Sequence, residues 1–190
     1  FEGRQWPETY EFPACNKCNG EARLDEQAMA VLVRIKLSAA LTRRAKNEWE
    51  KLVDGVKNNQ PDLWAEWTAV SNQKRAMHEA LGSLGGSMRQ AGWGSINLGR
   101  LTDEVIARFV VKLGKALYYR NNGTLIDGII YSQHISILKR DVTPEFIAEI
   151  LRLALAVADL KRGNQSLVDQ FLSRFNNSSE HGALYAVAQF

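Results

Sequence analysis

Apolar residues recur at helical spacing over much of the chain. Ala28, Val31, Leu32, Ile35 and Ala39 fall three or four apart, and Ala45, Trp49, Leu52, Val53 and Val56 take the pattern up again. That spacing predicts one long helix from Asp25, a good N-cap residue, or two helices broken near Leu41-Thr42. Pro61 suits the first turn of a further helix, where its missing N–H leaves no intrahelical bond unmade. Leu63, Trp67, Val70, Met77, Leu81 and Leu84 carry that helix onward, with Lys74 as a polar interruption.

A glycine-rich stretch follows: six of the fourteen glycines lie between Gly82 and Gly99, which predicts a loop between a helical front and the back half. Thr102 then fits the cap of a helix with Asp103 and Glu104 in its first turn. Ile106, Phe109, Val110, Leu113 and Leu117 line one face, and Gly123 is placed to end it. From Gly128 to Leu138 the period changes to two. Ile129, Tyr131, Ile135 and Ile137 alternate with Ser132, His134 and Ser136, as in a half-buried strand. Thr143-Pro144-Glu145 starts another helix, with Phe146, Ile147, Ile150, Leu151, Ala154, Val157 and Ala158 on its apolar side and a stop near Gly163. Leu167–Phe175 and Ala183–Phe190 read as two strands joined by the polar loop Asn176–Gly182.

Taken together these elements predict an α+β protein, predominantly helical, with a small antiparallel sheet in the C-terminal half. The last two strands pair with 128–138, because an isolated two-stranded ribbon is marginal in water. Residues 1–24, rich in proline, glycine and cysteine and without clear periodicity, form an extended segment ending in a turn, and 25–190 form the helical α+β domain. The apolar pattern runs to Phe190 without a polar tail, which predicts truncation at that end.

Composition narrows the picture modestly. With 190 residues, 45% of them hydrophobic, the chain is able to bury a core, and its net charge of +3 permits a nucleic-acid partner without arguing for one. No apolar run reaches the roughly 18 residues of a membrane span. Two cysteines close together are not the disulfide framework of a small secreted domain, and no signal peptide opens the chain; both point to a cytoplasmic protein.

Those cysteines are the most informative chemistry. Cys15 and Cys18, separated by Asn16 and Lys17 and followed by Asn19-Gly20, have the spacing at which two thiolates in a turn face one zinc ion. Structural zinc takes four ligands, and the remaining soft candidates, His78, His134 and His181, are not at knuckle spacing. The competing readings are a thiol pair without metal and a redox pair.

Trp6, Pro7, Glu8, Tyr10, Glu11, Phe12, Pro13, Ala14, Cys15, Cys18 and Asn19, with Asp25-Glu26-Gln27 beyond them, resemble the second half of the zinc-stapled HNH motif of bacterial and phage endonuclease-like proteins. Phe109–Gly123, including Tyr118-Tyr119-Arg120, also resembles a helix in the C-terminal region of some of those proteins. The resemblance implies a metal-dependent nucleic-acid endonuclease, with DNA the expected substrate. A structural zinc holds the motif together, a second divalent cation stabilises the leaving phosphate oxygens, and a histidine acts as general base.

Carried over residue by residue, Cys15 and Cys18 match the second zinc pair. Asn19 matches a position where many members place the last residue of the catalytic motif. Neither the first Cys-x-x-Cys nor an acidic-His step precedes Cys15 in this chain, so 1–24 reads as a remnant of the knuckle region. The chain alone is then expected to be inactive and to hold neither metal, unless a second copy or a partner chain supplies the missing residues.

Lys17 and Arg23 are the candidate phosphate contacts beside the knuckle, with Arg43, Arg44 and Lys46 further on; the competing reading is a solvated basic face. His134 lies in a serine-flanked strand pattern with no carboxylate nearby in sequence, which argues against a general base. The spacing of Trp49, Trp64 and Trp67 makes them core or partly buried anchors rather than base-stacking residues. No phosphate-loop lysine accompanies the glycine stretch. The alternative to a nuclease is a noncatalytic protein- or DNA-interaction module with a vestigial cysteine pair.

Overall fold

Helix α1, Asn16–Leu32, begins immediately after Cys15. The computed structural model describes residues 11–34, 43–90, 96, 98–131, 143–153, 156–157, 161–166, 172–178 and 183–189. Helices α2 (Arg43–Asn59), α3 (Pro61–Thr68), α4 (Val70–Leu81), α5 (Leu84–Gln90), α6 (Arg100–Asn122) and α7 (Pro144–Leu153) follow. The chain divides into two compact units, one made of Asn16–Val110 and the other of Phe1–Cys15 with Val111–Phe190.

The first unit has an apolar core supplied by four helices. Ala28, Met29 and Val31 of α1, Val56 of α2, Leu63 and Trp67 of α3, and Val105 of α6 form one buried cluster. Leu52, Val53, Trp64, Ile106 and Phe109 pack around it. Of the three tryptophans expected to anchor a core, Trp67 is fully enclosed, and Trp49 and Trp64 are half-buried. Gln60 is the single residue between α2 and α3, and it ties this joint back to α1 by donating from Nε2 to the Leu24 carbonyl at 3.0 Å.

Several local expectations are corrected. Residues 16–23 are helical rather than extended, because α1 starts some nine residues ahead of the predicted cap. Asp25 is therefore mid-helix and buried, where it serves an ion pair instead of an N-terminus. The helix predicted from Pro61 to Leu84 breaks at Ala69, whose ψ of 117° is extended. There the Thr68 hydroxyl donates to the Trp64 carbonyl, the local side-chain competition that often bends a helix. α4 ends at Gly82, whose φ of 57° is disfavoured for any residue with a Cβ. The supposed glycine loop contains α5: an added Cβ on Gly85 lies 2.6 Å from the Met77 carbonyl oxygen, so bare glycine lets α5 approach the backbone of α4.

In the second unit, α6 ends as its sequence predicts. Gly123, at φ 69°, donates its N–H to the Tyr119 carbonyl at 2.7 Å. α7 starts at Pro144, and the Thr143 hydroxyl accepts the Phe146 N–H at 3.2 Å. It stops at Leu153, well before Gly163, because Ala156–Val157 is extended. Val157 thus leaves the helix face on which its spacing placed it.

The α+β class does not stand: the described residues are predominantly helical. The predicted sheet depends on a strand over 128–138, yet Gly128–Tyr131 is irregular, and 132–138 lie outside the described residues. Ile130 lies over Gly114 of α6, at 3.4 Å from the position of an added Cβ, so its apolar surface packs on a helix instead of entering a ladder.

Among the described residues the extended segments are β1 (Ala156–Val157), β2 (Lys161–Arg162), β3 (Gln165–Ser166), β4 (Leu172–Ser178) and β5 (Ala183–Gln189). Antiparallel pairing joins β4 to β5, from Leu172 opposite Gln189 to Ser178 opposite Ala183. The two-residue β1 pairs with β4, and β2 pairs with β3. Asn176–Ser178, predicted as loop, belong to this ribbon. With three of the five segments only two residues long, these pieces do not make a sheet layer comparable to the helices.

Candidate functional site

Cys15 is the residue before α1, and Cys18 lies in that helix's first turn; both are exposed. The pair is therefore presented by a helix N-terminus rather than by the turn that the sequence suggests. Lys17, Asn19 and Arg23 are also exposed on α1. Helical spacing puts Asn19 and Arg23, four apart, on one face and turns Lys17 away from Arg23. Lys17 and Arg23 thus do not form a single basic stripe.

The donors present suit only part of a zinc site. Two thiolates are half of a tetrahedral set, and their immediate neighbours, an asparagine and a lysine, bring no soft ligand. Among the described residues, no group of three or more His, Cys, Asp or Glu side chains is arranged to hold a metal ion. His78 is exposed on α4, while His134 and His181 lie outside the described residues. Zinc therefore does not fit this set without further ligands, and no catalytic step follows from it.

Of the other sequence candidates, Lys46 on α2 is exposed and pairs with Glu50 at 3.9 Å, which is a solvated helix-face contact. Tyr118, Tyr119 and Arg120 are each half-buried on α6. Among the described residues, no helix is long and apolar enough to cross a membrane.

Polar chemistry is concentrated instead at two points that sequence reading missed. Glu66 of α3 accepts the Leu101 N–H at 2.9 Å, the Thr102 N–H at 3.0 Å and the Thr102 hydroxyl at 2.7 Å. Burial pushes its carboxyl up, but the hydrogen bonds from the Thr102 side chain and from the Leu101, Thr102 and Gly99 amides outweigh burial and hold it below the ordinary glutamate value. Asp25 of α1 receives a two-pronged bond from Arg108 of α6, Nε to Oδ2 and Nη2 to Oδ1, both at 2.8 Å. Each carboxylate has all its identified contacts within the fold, so neither constellation reads as an acid-base site. No protein-family model, curated protein or solved structure matches the chain.

Proposed function

We propose that the intact protein is an HNH-like, metal-dependent nucleic-acid endonuclease to which this chain contributes half of a zinc staple. The observation that carries the reading is the exposure of Cys15 and Cys18 at the start of α1, directly after the Trp6-to-Ala14 string. Two exposed cysteines at this spacing are accessible to a metal completed by ligands from another segment. The general base lies outside the chain; Asn19 takes the position of the catalytic motif's last residue, and Lys17 and Arg23 are the candidate phosphate contacts beside the cysteines.

The test is zinc analysis and plasmid nicking on the natural protein, including whatever precedes Phe1. Stoichiometric zinc that is lost in Cys15→Ser and Cys18→Ser, together with nicking that requires a divalent cation, is the expected result. The 190-residue chain alone is expected to be inactive; robust metal-dependent cleavage by it, abolished by Cys15→Ala, overturns the assignment of the base to another segment.

A noncatalytic interaction module is the second reading. The commitment of Asp25 and Glu66, both held by other helices, to internal hydrogen bonds favours it. Metal-free natural protein without nicking activity, binding tightly to a DNA or protein partner, is its expected signature.

A further inference from the structure

We draw no further inference here: the strongest candidate, the exposed apolar side chains of Leu125, Ile129 and Tyr131 in the segment after α6, carries none because nothing in the structure shows what covers it.

Discussion

Glu66 caps a helix to which it does not belong: from α3 it accepts both the amide N–H of Thr102 at 3.0 Å and its hydroxyl at 2.7 Å, at the start of α6. The first turn of a helix leaves its N–H groups without intrahelical acceptors, and its dipole favours negative charge. A carboxylate supplied across the core answers both needs. Trp67, the next residue of α3, extends the link by donating from Nε1 to the Thr102 oxygen at 2.8 Å. An apolar core defined by burial thus acquires a specific registration between two helices.

Glu66→Gln keeps the shape and removes the charge, so it reads the electrostatic part of this cap. Hydrogen bonds to a charged group are worth more than neutral ones, and with Glu66 partly exposed the loss at neutral pH is expected to be about 1–2 kcal/mol. Because the folded carboxyl titrates below its ordinary value of 4.5, its contribution is fully present above that value and is lost as pH falls through the lower, folded one. Urea midpoints of wild type and Glu66→Gln are expected to converge under acid conditions. A gap that stays constant with pH rules out charge as its source.

Thr102 is both acceptor for an indole and donor to a carboxylate, and it is fully buried. Thr102→Val preserves volume but leaves the Trp67 N–H enclosed without an acceptor, at an expected cost of about 1–3 kcal/mol. Thr102→Ser retains the oxygen and is expected to lose less than half as much. A Thr102→Val variant as stable as wild type in urea titrations, beside a destabilised Thr102→Ser, places the stabilisation in the methyl group's packing and excludes the hydrogen bond.

How legible these features were depended on sequence separation. The end of α6 at Gly123 and the start of α7 at Thr143-Pro144 were readable because glycine, proline and a capping threonine act within one turn. Glu66 and Thr102 are 36 residues apart, and Asp25 and Arg108 are 83 apart, so neither pair has a local signature. Asp25 resembled an N-cap because aspartate is favoured there, yet the helix had already begun. Glycine between 82 and 99 suggested a loop for the same kind of reason: composition reports backbone freedom, whereas the α4–α5 contact uses glycine for its missing side chain. Cys15 and Cys18 were visible by spacing, but spacing did not disclose the helix that begins between them.

Glycine substitutions separate tight backbone contacts from contacts with yielding side chains. Gly85→Ala brings a Cβ to 2.6 Å from the Met77 carbonyl oxygen, and backbone must move; the expected loss is about 1–3 kcal/mol. At Gly55 the added Cβ meets the end of the Gln27 side chain, which is able to swing aside at the expense of an exposed hydrogen bond from Asn59. Alanine also improves the helix propensity of α2 by about 1 kcal/mol, so Gly55→Ala is expected to be neutral or stabilising. Thermal unfolding of the two variants checks the contrast, and destabilisation of both by similar amounts removes it.

The Asp25–Arg108 pair is asymmetric, and so are its expected mutational costs. The Asp25 side chain is 11% exposed and that of Arg108 is 57% exposed. Removing the arginine strands an enclosed carboxylate, whereas neutralising the aspartate leaves a guanidinium that already reaches water. Arg108→Ala is therefore expected to cost about 2 kcal/mol, below the range for a fully buried pair because solvent already screens one partner. Asp25→Asn, with its shape intact and one acceptor oxygen retained, is expected to cost about 1 kcal/mol. Arg108→Lys should behave more like alanine than like arginine, since a lysine ammonium does not reproduce the planar two-pronged fork. Denaturant midpoints for the three variants provide the test. If Arg108→Lys restores wild-type stability, a point charge is sufficient and the fork geometry contributes nothing; if Asp25→Asn costs as much as Arg108→Ala, burial of the carboxylate is not what sets the difference.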